Sequence, residues 1–274
     1  MAITNNKKKF SADKYNLMNE KSPFAVKESF GLLRTNLIYT PYKGDGAPVF
    51  GITSAGESSG KSTIIANLAY SFAQMNKKVI LIDADMRCPV QQNFFGYKRF
   101  SKGLSEFLSG IVGTKEEIIQ SSSVDGLSVI PSGHVPPNPS ELMLSPRFGE
   151  LITALKAEYD YVFIDFPPVG IVADAASVVS YVSGYIFVIR ANVSDVVSLK
   201  ESFETLENIG ANIVGTVLND VNYKDGMFGT RYRRSKYGKY GKYGKYGKYG
   251  VYSRYEQAVI DSANREGEDE QKTE

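Results

Sequence analysis

Thr53-Ser54-Ala55-Gly56-Glu57-Ser58-Ser59-Gly60-Lys61-Ser62-Thr63 follows an apolar run, Val49 to Thr53, and opens a helix-forming one, Ser62 to Met75. From Ala55 it reads A-x-x-x-x-G-K-S, a phosphate-binding loop with alanine for its first glycine. Small residues let successive backbone N–H groups converge on phosphate oxygens, and the N-terminus of the following helix adds a favourable dipole. Lys61 is placed to reach the β- and γ-phosphates, and the Ser62 hydroxyl to ligate Mg2+. A Gly-Lys-Ser triplet alone is common. The flanking strand and helix make Ala55, Gly56, Glu57, Ser58, Ser59, Gly60, Lys61, Ser62 and Thr63 a candidate nucleotide cradle.

Two acidic motifs stand further along. Val79-Ile80-Leu81-Ile82-Asp83-Ala84-Asp85-Met86-Arg87 ends an apolar run with two carboxylates, and Tyr161-Val162-Phe163-Ile164-Asp165-Phe166-Pro167-Pro168 ends another with one. In a parallel sheet the strand C-termini line one edge, where ligands bind. A single strand-end Asp can serve merely as a helix cap; three in such places are poorly explained that way. Mg2+ takes oxygen ligands, keeps water and bridges phosphates through one or two carboxylates. Asp165 is the expected Mg2+ group, directly or through a water, and Asp85 the second.

Around these motifs the pattern alternates strand and helix. Strands are expected at Val49 to Thr53, Val79 to Ile82, Leu127 to Ile130, Tyr161 to Ile164, Tyr185 to Ile189 and Ile213 to Leu218. Helices are expected at Ser62 to Met75, Leu104 to Leu108, Lys115 to Gln120, Ser140 to Glu158 with a break near Pro146, Val172 to Val182 and Ser194 to Ile209. A first helix should start at Ser22-Pro23, with Phe24, Phe30, Leu33 and Leu37 on one apolar face up to Tyr39. Apolar strands alternating with helices imply an α/β fold, a mostly parallel sheet covered on both faces. The expected organisation is a loose polar segment at 1–21, one α/β domain at 22–222, and a flexible tail at 223–274.

The tail repeats Lys-Tyr-Gly from Lys236 to Gly250, and residues from Tyr223 onward hold nine of the chain's 18 tyrosines. Period three with Lys and Gly in every gap fits neither strand nor helix, and collagen would need proline. It reads as a solvated segment presenting phenol hydroxyls. Residues 223–256 carry a net charge of +8, against −2 for 1–222 and −4 for 257–274, within a whole-chain +2. Such a tail suits an anionic membrane, an acidic protein face or nucleic acid, or it is simply a Lys-solubilised linker. The lone cysteine, Cys88, excludes an internal disulfide and fits a reducing compartment. No run reaches the roughly 18 apolar residues of a membrane span, and Lys7 to Phe10 lacks the apolar stretch of a signal peptide. The expectation is a cytoplasmic protein whose membrane link comes through a partner or surface charge.

Taken together, the three motifs resemble the Walker A, A′ and B motifs of the bacterial tyrosine kinases (BY-kinases). Asp83, Asp85 and Arg87 match the A′ pattern Asp-x-Asp-x-Arg, Asp165 and Pro167 match Asp-x-Pro, and Pro137 to Leu142 is similar to a further family stretch. The tyrosine-rich C-terminus completes a likeness that runs from about residue 22 to the tail, nearest to the cytoplasmic kinase subunits of Gram-positive capsule and exopolysaccharide systems. Two departures stand out. Glu57-Ser58-Ser59 replaces the usual Pro-Gly-Glu, and the family's oligomerisation motif Glu-x-x-Arg-x-x-Arg aligns with Glu28, Gly31 and Arg34, lacking its first arginine.

The resemblance implies an ATP- and Mg2+-dependent protein-tyrosine autokinase. Lys61, Asp83 and Asp85 would be catalytic, with Asp83 accepting the tyrosine proton. Acceptors would be Tyr237, Tyr240, Tyr243, Tyr246, Tyr249, Tyr252 and Tyr255, phosphorylated in trans. It also implies a membrane-spanning, polysaccharide co-polymerase-like activator, self-association as in the family's rings, a cognate protein-tyrosine phosphatase, and recruitment to the inner face of the membrane. Asn219 resembles the residue that reads adenine in related folds and equally suits a plain turn; Arg190 nearby reads as a surface ion pair. The alternative is a ParA/MinD-like ATPase switch, whose loop carries a signature lysine where Gly56 stands here. A nucleic-acid-binding tail is disfavoured by the absence of a recognition motif. The only histidine, His134, is expected as an exposed loop residue.

Overall fold

The computed structural model describes residues 17–97 and 102–221; the tail tyrosines and most of the N-terminal segment lie outside them. The strands are β1 (Val49–Ser54), β2 (Val79–Asp83), β3 (Gln120–Ser121), β4 (Leu127–Ile130), β5 (Tyr161–Asp165), β6 (Gly184–Arg190) and β7 (Ile213–Asn219). They form one sheet in the order β3-β4-β2-β5-β1-β6-β7. All neighbours pair in parallel except the edge pair β3–β4, which is antiparallel. β1 and β2 are buried along their whole length, as continuous Val/Ile/Leu runs demand of strands covered on both faces.

One face is covered by α1 (Phe24–Ile38) and α2 (Lys61–Ala73), with Phe72 packing on Tyr161 and Phe163 at ring separations of 4.4 and 5.3 Å. The other carries a short helix, α4 (Leu104–Leu108), then α5 (Pro139–Met143), α6 (Pro146–Glu158) and α8 (Val196–Asn208), where Phe187 stacks on Phe203 at 4.4 Å. Two short helices, α3 (Gln91–Phe95) and α7 (Asp174–Ser177), lie in loops at the carboxyl edge. Gly51 in β1 is required by close approach: a Cβ there would come within 2.6 Å of the Phe166 ring.

Several expectations are corrected. Helix α1 begins one residue later than Pro23, which is itself the N-cap, and the Ser22 hydroxyl accepts from Asn19 N–H instead of capping it. Leu17 and Met18, assigned by composition to a loose N-terminus, are tied down. Leu17 packs on the core, and Met18 N–H donates to Asn67 Oδ1. The run at Lys115 to Gln120 is a single 3-10 turn, Lys115–Glu117, and Gln120 instead pairs with Val129 to begin β3. The helix at Val172 to Val182 shrinks to α7 and a 3-10 turn at Val179–Tyr181. There the Tyr185 hydroxyl donates to the Ala175 carbonyl at 2.6 Å, taking the acceptor that a continuing helix would use, and β-branched Val178 and Val179 disfavour continuation. Arg34, aligned with an oligomerisation motif, donates to both the carbonyl and hydroxyl of Ser71 within the chain.

His134 is indeed exposed, at 59% of its side chain, yet it is partnered: Nδ1 lies 2.7 Å from Glu106 Oε1. Glu106 is buried and also accepts from His134 N–H at 3.0 Å and Gly103 N–H at 2.8 Å. Burial alone would raise its pKa; the His134 and Gly103 donors outweigh that and hold it below the ordinary 4.5. A carboxylate with a depressed folded pKa contributes stability above its unfolded pKa and loses it as pH falls through the folded value. Glu106→Gln should therefore cost about 2 kcal/mol at pH 7, with the gap closing in acid. Urea unfolding at pH 7 and at pH 3 measures it, and a gap independent of pH would contradict the charged state assigned to Glu106.

Candidate active site

The loop after β1 turns into α2 at Gly60, whose φ of 94° is left-handed; a Cβ there would lie 2.1 Å from Asn219 Nδ2, so only glycine fits. Behind the loop, Thr53 Oγ1 donates to the Pro167 carbonyl at 2.9 Å and accepts from Val169 N–H at 3.0 Å, tying the end of β1 to the segment after β5. Lys61, the first residue of α2, is buried. The cradle thus joins a thirteen-residue helix N-terminus to small residues and one buried lysine.

The register places the acids. Asp83 pairs with Asp165 across β2 and β5, and Asp165 with Ile52 across β5 and β1, so both carboxylates stand at the strand ends beside the loop. Asp83 Oδ2 accepts from Val90 N–H at 3.2 Å and Gln91 N–H at 3.0 Å, which starts α3. Gln91 Nε2 donates to Asp165 Oδ2 at 2.7 Å and to the Ser62 carbonyl at 3.1 Å. Asp85 Oδ1 accepts from Cys88 N–H at 3.0 Å. Burial foremost, then Asp165 and Asp85, drive the Asp83 pKa well up. Burial also pushes Asp165 up to about 6, against the opposing pull of Lys61, Ser62 and Gln91.

Four buried oxygens of these segments have no hydrogen-bond partner: Ser59 Oγ, Asp83 Oδ1, Gln91 Oε1 and Asp165 Oδ1. Hard oxygen donors, orphaned and crowded by like charge, fit a Mg2+ ion held by one or two carboxylates, a hydroxyl and phosphate. Among the described residues no three acidic, His or Cys side chains converge on a metal cage. Above the acids opens a cleft of about 740 Å³ bordered by Glu57, Ser58, Lys61, Ser62, Thr63 and Asp85. Asp83 and Asp165 lie beneath its surface. Another depression of about 750 Å³, around Lys78, Ser122 and Asp125, sits at the amino ends of the strands and holds none of the motif residues.

Two groups beside the cleft, Asp174 and Gln91, were not legible in the chain order. Arg87 forks onto buried Asp174, Nε to Oδ2 at 3.2 Å and Nη2 to Oδ1 at 3.3 Å, while the Ser140 hydroxyl bridges both residues at 2.9 and 2.5 Å. The one available signal for Asp174 is that it is a lone charge in the apolar stretch from Val169 to Val182. Gln91 carries no local signal at all. Asn219 faces the loop: Nδ2 donates to the Ser59 carbonyl at 2.9 Å. Arg190 does form the expected ion pair, with Asp220 at 3.0 Å, and also donates to the Ser58 carbonyl at 3.0 Å. Tyr237, Tyr240, Tyr243, Tyr246, Tyr249, Tyr252 and Tyr255 lie outside the described residues.

Comparison with known proteins agrees with this geometry. A family model described as an AAA domain matches residues 52–210. The chain is 38% identical over 217 residues to tyrosine-protein kinase CpsD of Streptococcus agalactiae, covering 77% of this chain and 93% of that protein. The kinase domain of Escherichia coli tyrosine kinase ETK superposes with a TM-score of 0.68 at 32% identity, over 76% of this chain and 89% of that one. The septum site-determining protein MinD of Pyrococcus horikoshii, complexed with Mg-ADP, reaches 0.56 at 24% identity over 65% of this chain and 72% of its own. That last likeness is one of fold alone, and the ATPase-switch alternative rests only on a distant structural relationship.

The loop marks a nucleotide-binding site, and its lysine is the group with most to lose. Lys61→Met removes the cation beside Asp165 and a charge-assisted contact to phosphate, each of the kind worth a few kcal/mol when desolvated. Nucleotide affinity should fall at least about thirtyfold while the far-UV spectrum is kept. Retained affinity in a folded variant would remove Lys61 from the site.

Proposed function

This chain belongs to the bacterial tyrosine kinases, and we propose that it is an autokinase that moves the γ-phosphate of ATP onto tyrosines of its own C-terminal cluster, in trans, to regulate capsular or exopolysaccharide synthesis. The observation that carries the reading is the side-by-side placement of Asp83 and Asp165, with orphaned oxygens, beneath a Gly60-Lys61-Ser62 loop. Phosphoryl transfer needs positioned phosphates, charge neutralisation and a proton acceptor near the incoming hydroxyl. The loop N–H groups and Lys61 hold the phosphates. Mg2+, held by Ser62, Asp85 and Asp165, would neutralise charge on them. Asp83 accepts the phenol proton as it leaves. The tyrosine pKa of about 10 makes that help matter late, as the bond to phosphorus forms.

A specific observation favours a second division of labour. Asp85 borders the cleft, whereas Asp83 lies beneath it with one oxygen committed to the Val90 and Gln91 amides. In that arrangement Asp85 receives the proton, and Asp83 joins Asp165 in holding the metal. Asp83→Asn, Asp85→Asn and Asp165→Asn separate the two schemes. The metal ligands lose Mg·ATP affinity, and the proton acceptor loses turnover at saturating ATP with affinity kept.

No helix among the described residues is long and apolar enough to cross a membrane. The proposal places the kinase in the cytoplasm, brought to the inner face of the membrane by a membrane-spanning activator that raises its activity and reset by a protein-tyrosine phosphatase. Each phosphate adds about −1.5 to −2 charges, so five bring the +8 of residues 223–256 to about neutral or slightly negative. That change weakens contacts with acidic surfaces and makes the tail an assembly switch.

The test is incubation with ATP and Mg2+, with and without the activator's cytosolic peptide, followed by phosphotyrosine mapping. Glycine-rich repeats have no fixed conformation to single out one hydroxyl. Replacing one repeat tyrosine by Phe should barely change total phosphate, whereas replacing Tyr237, Tyr240, Tyr243, Tyr246 and Tyr249 together should remove most of it. A tail-deleted active chain should phosphorylate the tail of a Lys61→Met chain. Phosphate confined to one tyrosine, or absent from the dead partner, would overturn the repeat as a pool of trans substrates.

A further inference from the structure

Four non-glycine residues among those described adopt a left-handed backbone: Ser58, Asn76, Asn192 and Asp220. Asn and Asp visit that region readily because their short polar side chains hydrogen-bond locally; serine has no such ease. Ser58, with φ of 54°, is therefore the strained member, and it sits within the phosphate loop. Its carbonyl accepts from Arg190 Nη1 at 3.0 Å, and the next carbonyl, Ser59, accepts from Asn219 Nδ2 at 2.9 Å. Arg190 and Asn219 are cross-strand partners at the ends of β6 and β7. Two successive loop carbonyls are thus held by one edge of the sheet. In a planar trans peptide the N–H of the next residue points opposite to the carbonyl. Drawing the Ser58 and Ser59 carbonyls toward Arg190 and Asn219 turns the Ser59 and Gly60 N–H groups the other way.

Arg190 is itself oriented. Nε and Nη2 both lie 3.0 Å from Asp220 Oδ2, which leaves Nη1 for Ser58. Its backbone N–H donates to the Ser194 hydroxyl at 2.9 Å. The Arg190 and Asp220 side chains are 34% and 58% exposed, and an ion pair that open contributes little to stability. What the rigid guanidinium fork supplies is direction.

We propose that Arg190 is a positioning residue of the phosphate loop: held by Asp220, it pins Ser58 in its left-handed conformation so that the cradle is preset before nucleotide arrives. This rests on the nucleotide reading of the cleft. A lysine cannot engage Asp220 and Ser58 with the same fork, and a glycine at 58 would take the left-handed conformation without being pinned.

The experiment uses the full chain and Mg·ATP, with dissociation constants by calorimetry, melting temperatures, and kinase turnover at saturating ATP. Arg190→Ala should weaken binding about tenfold, the size of one left-handed backbone penalty, with turnover at saturation and melting temperature kept. Arg190→Lys should recover only part of the loss. In a Ser58→Gly background, which needs no pin to hold the left-handed conformation, adding Arg190→Ala should cost little further affinity, so that the double variant binds Mg·ATP more tightly than Arg190→Ala alone. Failure of that rescue would mean Arg190 touches the nucleotide directly, and unchanged affinity in Arg190→Ala would mean the pin is idle; either overturns the proposal. A wild-type chain that does not bind Mg·ATP would instead overturn the nucleotide reading beneath it.

Discussion

Two carboxylates at adjacent strand ends, both removed from water, set the terms for everything around them. Asp83 and Asp165 are neighbours in the β2–β5 register, and burial raises both, with Asp165 repelling Asp83 and Asp85 repelling Asp165. Left alone, such a pair would neutralise itself by taking up protons. The surrounding chain supplies what keeps it serviceable: Lys61 at the start of α2, the Gln91 amide bridging Asp165 to the Ser62 carbonyl, and the first amides of α3 on Asp83. None of these saturates the oxygens. The remaining demand for positive charge is one that a divalent cation, arriving with a nucleotide as proposed above, would satisfy.

The elements flanking the cleft are held by cross-ties rather than by length. Helices α3 and α7 have five and four residues, too short to be stable alone. Asp83 holds the start of α3 from below, and the Tyr185 hydroxyl and the Arg87–Asp174–Ser140 network hold α7 and α5 to the loop after β2. Such arrangements are stiff while their polar groups are satisfied and costly when one is removed. The same logic runs at the far end of the sheet, where the Glu106 carboxylate closes the turn from β4 around Gly133, a position at which a Cβ would strike Glu106 Oε2.

Relatives and fold neighbours differ in how far the likeness extends. The fold is shared with ATPases such as MinD, so the sheet and loop by themselves fix no chemistry. The kinase relatives match over three quarters of the chain.

The amino-acid sequence by itself determined the six parallel strands, the phosphate loop, and which three aspartates attend it. Those signals are local: an apolar run of four or five residues, a small-residue loop, a polar strand end, each readable within a dozen positions. It also marked Asn219, Arg190 and His134 as polar groups of note without saying what they touch. Tertiary structure alone decided that Asp83 lies beneath the cleft while Asp85 borders it, that α3 starts on a carboxylate rather than a local cap, and that Asp174 secures Arg87. It likewise turned a surface ion pair at Arg190 into a hold on Ser58 across 132 positions. The physical reason is mostly range: strand register and crossover connections bring Gln91 to Asp165, Arg87 to Asp174, Arg190 to Ser58 and Asn219 to Ser59 from 74 to 160 residues apart, and no local pattern encodes a partner at that distance.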